Sequence, residues 1–168
     1  WVTTMRACFK MFLGKSEAGG STITQQFIKN ATGEREVTVR RKLVEIYRAL
    51  EAGLARHATH GHIAPWMEVS LHREAALERD LDDLHGPDWA RRLVCPAEAR
   101  AYAGHLAELA SHDPGLLTAH AYVRYLGDLH GGQMLARVVA RHLAPGDGRG
   151  LAFYDFGDAA QTAALTAQ

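Results

Sequence analysis

Cysteine is almost missing from this sequence: Cys8 and Cys95 are the two present, and they lie far apart. Two thiols in 168 residues make no disulfide framework, which excludes the small stapled secreted folds. Reduced thiols in a cytoplasmic protein are the expectation. Excess charge of one sign is missing too. Lys plus Arg and Asp plus Glu are 19 each, which excludes nucleic-acid binding driven by bulk charge. No apolar run approaches the roughly 20 residues of a membrane span. Met5–Leu13 is short and interrupted by Arg6 and Lys10, so it is neither a span nor a signal core. No stretch of alternating β-branched residues is long enough for a sheet. Histidine does not occur before His57, although the chain holds ten. The first residue is Trp1 rather than Met, which leaves room for an upstream piece.

The composition that is present, 47% hydrophobic and 23% charged, is globular. A chain of this length buries enough surface to fold without a disulfide or metal. The periodicity is helical throughout, so an all-α bundle is expected. Val2–Leu13 reads as a short helix stopped by Gly14. Ser21 or Thr22 can cap a second running to about Ala31, ended by Gly33. Thr38 can cap a third, whose stripe of Val39, Leu43, Ile46, Tyr47, Leu50 and Leu54 steps by three and four. Residues 57–65 form a His-rich loop closed by Pro65. Leu71–Leu84 is a helix with Leu71, Ala75, Leu77, Leu81 and Leu84 inward, broken at Gly86-Pro87. Pro96–Ala110 follows, then a turn at Asp113-Pro114-Gly115 and a long helix over Leu116–Leu143. Pro145–Gly150 is a loop and Ala159–Gln168 a fraying end. The basic run Arg35, Arg40, Arg41, Lys42 and Arg48 reads as a solvated helix face or as a patch for an anionic substrate.

The long helix carries an anomaly: Gly127, Gly131 and Gly132 lie inside it. Each glycine costs a helix interior roughly 1 kcal/mol against alanine, so a compensating contact is expected. Gly127 and Gly131 share one face and expose bare backbone, which suits a tightly packed helix or a cavity for a flat ligand.

The residues around them, Leu117-Thr118-Ala119-His120-Ala121-Tyr122-Val123-Arg124-Tyr125-Leu126-Gly127-Asp128-Leu129-His130-Gly131-Gly132-Gln133, resemble the distal helix of the heme oxygenase family. The stretches Leu71–Leu81, Gly86–Trp89 and Gly150–Phe156 fit the same family, and the resemblance reaches back to Tyr47–Glu51. It implies an all-α fold, heme as both cofactor and substrate, oxidative opening of the heme ring to biliverdin, and an electron-donating reductase as partner. Carried onto this sequence, it implies that Asp128 orders a distal water network, with Arg124, Tyr47 and His72 as further members. Arg124 and Asp128, four apart, can pair. Gly127, Gly131, Gly132, Tyr122 and His130 would lie against the heme.

The family's proximal histidine sits on its first helix, and no histidine precedes His57 here. Which residue would ligate iron is therefore open: His130 stands beside Gly131, and His57, His60 and His62 form a His-x-x-His-x-His cluster that also suits other metals.

Residues 1–51 resemble something different. Gly19-Gly20-Ser21-Thr22-Ile23-Thr24-Gln25-Gln26 with Lys29-Asn30 is similar to the second motif of the penicillin-binding-protein glycosyltransferase domain, and Arg41-Lys42-Leu43-Val44-Glu45 to its third. That family polymerises lipid-linked disaccharides into peptidoglycan. Its general-base glutamate lies upstream of the second motif and has no counterpart in Trp1–Ala18, where Glu17 is isolated, so no polymerisation is expected. The chain then divides into a glycosyltransferase-like segment, 1–51, and a truncated heme-oxygenase-like region, 52–168, packed as one unit. The alternatives to a heme oxygenase are a glycosyltransferase fragment and an inactive bundle of composite origin.

Overall fold

The computed structural model describes residues 34–143 and 149–157, with Thr162 and Leu165 beyond them. The helices expected over Val2–Leu13 and after Ser21 lie outside the described residues. The chain divides into two compact units, Trp1–Glu36 and Val37–Gln168; everything below concerns the second. Among the described residues every regular element is helical. In chain order these are α1 (Glu34–Arg56), α2 (Glu74–His85), α3 (Trp89–Arg92), α4 (Ala97–His112) and α5 (Leu117–Leu143). Short 3-10 turns occur at Ala64–Met67, Val69–Leu71, Pro114–Leu116 and Ala152–Tyr154. No helix among the described residues is long and apolar enough to cross a membrane.

Helix α1 opens at Glu34, four residues before Thr38, so Thr38 does not cap it. Its buried stripe is Arg40, Val44, Tyr47, Leu50, Glu51 and Leu54. Val39, expected inward, is 43% exposed. The neighbouring Arg40 takes the inward position because a buried carboxylate, Asp80, awaits it. The stripe packs on Leu77 and Leu81 of α2, Leu106 and Ala110 of α4, and Leu117, Ala121, Tyr125 and Leu129 of α5. The α5 set repeats every four residues, one straight ridge along the helix. Gly53 explains how closely these helices meet: a β-carbon there would lie 3.0 Å from Leu117 Cδ1 and 3.3 Å from Ala110 Cβ.

Helix α2 spans Glu74–His85 and ends at Gly86, whose φ of 74° suits glycine and whose N–H reaches the Asp82 carbonyl. Ala75, expected inward, is exposed, and Asp80 is buried in the face instead. Asp80 accepts from Arg40 (2.6 Å) and from the backbone N–H groups of Ala152 (2.7 Å) and Phe153 (3.0 Å). Arg40 also donates to the Gly150 carbonyl at 2.8 Å. This clamp holds α1, α2 and the 152–154 turn together.

Three of the five residues of the basic run, Arg40, Arg41 and Arg48, are taken up in ion pairs within the fold. Arg40 is buried on Asp80. Arg41 pairs with Glu45 (2.8 Å), donates to the Leu93 carbonyl (3.3 Å) and lies over the Trp89 ring. Arg48 bridges Glu74 (2.8 Å) and Glu78 (2.6 Å). The guanidinium groups stitch α1 to α2 and α3.

Candidate functional site

Helices α1 and α5 bring Tyr47 and Asp128 together: the Tyr47 hydroxyl donates to Asp128 Oδ2. Tyr47 is fully buried, its ring 6.0 Å from Tyr125 and edge-on to Phe153 at 6.0 Å. Burial, then the Asp128 charge, raises the Tyr47 pKa, so the hydroxyl keeps its proton and remains a donor. Burial also pushes Asp128 up to about 6, against the hydrogen bond from Tyr47 and the nearby Arg124 and Arg73 charges, which lower it.

Arg124 does not pair directly with Asp128. Its guanidinium lies over the Tyr102 ring, 5.5 Å from the centroid, where the π-face attracts it. The carboxylate takes the Tyr47 hydroxyl instead. His72 stacks on Tyr125 at 6.3 Å and its Nε2 reaches the Trp66 carbonyl at 3.3 Å. Tyr47, Asp128, Tyr125 and His72 thus form one chain of contacts through the interior, with Arg124 at its edge.

Sequence reasoning misses three members of this interior. Glu51, one turn after Tyr47 on the same face of α1, accepts from the N–H groups of Arg73 (2.6 Å) and Glu74 (3.2 Å). Burial raises its pKa. Arg73 is buried, donates to the carbonyls of Leu71, His72, Ser70 and Asp155, and stands 3.9 Å above the Phe156 ring. Among the described residues the buried Tyr125 hydroxyl has no hydrogen-bond partner of good geometry, although the Glu51 carboxylate lies close by; desolvation, then the Glu51 charge, raises its pKa. The four-residue step from Tyr47 to Glu51 was the available signal.

The glycines separate by environment. Helix α5 runs unbroken through all three. Gly127 is exposed and Gly131 half-buried, and a β-carbon on either would meet nothing within 4 Å. A tightly packed helix is thus not their compensation; they face open space. Gly132 is the packed one, 3.6 Å from Tyr154 Cδ1 and 3.9 Å from Phe156 Cε2. Tyr122 is 58% exposed, edge-on to Trp66. His130 is exposed, with Nδ1 bonded to the Leu126 carbonyl at 2.8 Å.

The loop histidines lie elsewhere. His57 Nε2 donates to the Ala110 carbonyl (2.7 Å), the His62 carbonyl accepts from Thr118 (3.0 Å), and His60 Cε1 would lie 3.9 Å from a β-carbon on Gly115. They cluster at the start of α5. Gly127 is nine residues beyond Thr118, about 13 Å along a helix, so these rings do not serve the glycine face. Among the described residues no group of three or more His, Cys, Asp or Glu is arranged to hold a metal.

A half-buried carboxylate bonded to a buried tyrosine behind a glycine strip would be a weak signature alone, but the heme oxygenase family model matches residues 16–167. The chain belongs to the heme oxygenase family. The match begins at residue 16, well before Tyr47, and takes in most of the segment that resembles the glycosyltransferase. A heme oxygenase of Takifugu rubripes is 41% identical over 115 residues, covering 68% of this chain and 42% of the relative. Heme oxygenase 1 of a Nostoc species is 35% identical over 132 residues, covering 76% and 56%. The chain thus spans about half the length of the curated relatives it matches. Among solved structures, heme oxygenase-2 from a Synechocystis species, in complex with heme and NO, superposes with a TM-score of 0.76 at 33% identity, covering 84% of this chain and 59% of that one.

Proposed function

We propose that this chain binds heme against the α5 strip containing Gly127 and Gly131, and that it supports oxidative opening of the heme ring to biliverdin. The observation that carries this reading is the Tyr47–Asp128 hydrogen bond one residue from the open glycine strip. The fit to a flat macrocycle rests on open space at two glycines on one helix face, with the exposed Tyr122 and His130 nearby. The relatives named heme oxygenase, and the solved relative that contains heme, support it. Heme, when bound, supplies the redox chemistry, with electrons from a reductase.

The chain's own residues handle protons and position. Asp128, with a pKa near 6, populates both protonation states around neutrality and can take or give a proton at Oδ. Tyr47 holds the carboxylate in place and remains a donor. Tyr125, His72, Glu51 and Arg73 keep that wall rigid and polar. Arg124 sets the field at Asp128 from its seat on Tyr102.

Hemin added to the purified chain should show a Soret band shifted and sharpened relative to free hemin, and with a reductase and dioxygen should yield biliverdin. His130 leaves Nε2 available beside the strip, so His130→Ala should move the Soret maximum; an unmoved band would place the iron ligand elsewhere. A Soret band indistinguishable from that of free hemin would sink the heme reading.

The same strip makes an unusual stability prediction. Gly127→Ala should stabilise the apo protein by about 1 kcal/mol, because helix propensity improves and the β-carbon enters open space. Heme uptake should fall at the same time. Gly131→Leu should abolish uptake while helical circular dichroism stays unchanged. Undiminished hemin affinity in both variants would refute the placement.

The glycosyltransferase alternative finds no support in the described part of residues 1–51. Arg41 and Glu45, from the stretch similar to its third motif, are bonded to each other. Ser21, Thr22, Gln25 and Lys29 lie outside the described residues.

A further inference from the structure

Outside this site, histidines meet at one other helix junction. His105 is exposed on α4, and His120 is half-buried in the second turn of α5. Their rings are 5.9 Å apart and inclined at 72°. We propose that His105 and His120 form a binding site for a first-row divalent metal ion of the zinc and copper class. A nitrogen-bound zinc ion sits about 2.0–2.1 Å from each imidazole, which places the centres of two rings sharing one ion on the order of 5–6 Å apart.

The partner of His120 fits the same role. The Tyr102 hydroxyl lies 2.6 Å from His120 Nδ1. A phenol both donates and accepts, so His120 can carry its proton on Nδ1 and release the Nε2 lone pair. A ligand histidine is held in this way when its other nitrogen has a fixed partner.

The other close pair of rings lacks this freedom. His60 and His62 are 5.6 Å apart, but His60 Nδ1 accepts from the His62 backbone N–H at 3.3 Å. A backbone N–H only donates, so the proton of neutral His60 is fixed on Nε2 and no lone pair is free. Two protein ligands and exposure leave the remaining coordination positions at the His105 site to water. Affinity should be lower than at a closed four-ligand site.

The test is a Zn(II) titration of the full, heme-free chain, followed by histidine imidazole NMR signals, in a background carrying His60→Ala and His62→Ala. The His105 and His120 signals should shift together and saturate near one equivalent. His105→Ala, at an exposed position, should lower zinc affinity at least tenfold without changing the melting temperature of the metal-free protein. Tyr102→Phe should lower it by about tenfold, because His120 loses the hydroxyl that holds its Nδ1. Cu(II) should bind more tightly than Zn(II). Zinc affinity unchanged by His105→Ala, or shifts confined to other histidines, would overturn the site.

Discussion

Asp80→Ala should destabilise the protein by about 3–5 kcal/mol, a large part of the total stability of a domain this size. Asp80 is fully buried and neutralises Arg40, itself 4% exposed. The substitution removes that charge partner and leaves the N–H groups of Ala152 and Phe153 without their acceptor. Each lost acceptor leaves a polar group desolvated for no return. Asp80→Asn keeps one acceptor oxygen and should lose less. Glu78→Ala is the contrasting control. Glu78 pairs with Arg48 across side chains that are both 42% exposed, where water screens the charges, and should lose under about 1 kcal/mol. Urea unfolding followed by circular dichroism separates these cases through the midpoint at constant slope. Equal losses in Asp80→Ala and Glu78→Ala would show that the clamp contributes nothing beyond a surface pair.

Asp128→Asn should move stability and activity in opposite directions. Folding raises the Asp128 pKa from 3.8 to about 6, so the folded chain holds the proton more tightly than the unfolded one. Below the unfolded value both states are protonated and the contribution to stability is intact. As pH rises through this window the unfolded state ionises first, and stability falls until the folded carboxyl has ionised as well. A shift of this size corresponds to something on the order of 2–3 kcal/mol at neutral pH. The amide removes that loss while still accepting from Tyr47. The variant should therefore be more stable than the parent at pH 7, with a flatter stability profile between pH 4 and 6. Biliverdin formation should fall by about a hundredfold, the usual scale for removing a proton-transferring group, while the Soret titration stays close to that of the parent. Ring opening at the parental rate would end the assignment of Asp128 as a proton-handling residue.

The helical skeleton was legible because its signals are local. Leu77 and Leu81 lie one turn apart, Gly86 stops α2, and the α5 ridge repeats every four residues. Gly127 and Gly131 signalled a bare helix face, but the contact expected to compensate for them is not met among the described residues. Long-range partners were not legible. Arg40 and Asp80 are forty residues apart, and nothing near either residue says that both go inside. The same blindness put Val39 and Ala75 on buried faces, since apolar character alone cannot show that an ion pair occupies the interior. Arg124 and Asp128 had suitable helix spacing, yet the carboxylate bonds to Tyr47, 81 residues away, which only the family resemblance had grouped with it. Spacing shows who can meet on one element; it does not rank that contact against partners from another.

Glu51 shows what such distance means for the order of assembly. No side chain local to the start of α2 caps that helix, and the carboxylate over its first N–H groups comes from α1, 22 residues upstream of Arg73. The first turn of α2 is therefore completed only once α1 has docked. A peptide spanning 69–85 lacks this acceptor and should fray at its front, whatever the propensity of its residues. Loosening α1 in turn withdraws the acceptor and exposes the opening of α2 to water. The two helices gain and lose order together, with the buried carboxylate as the point through which one stabilises the other.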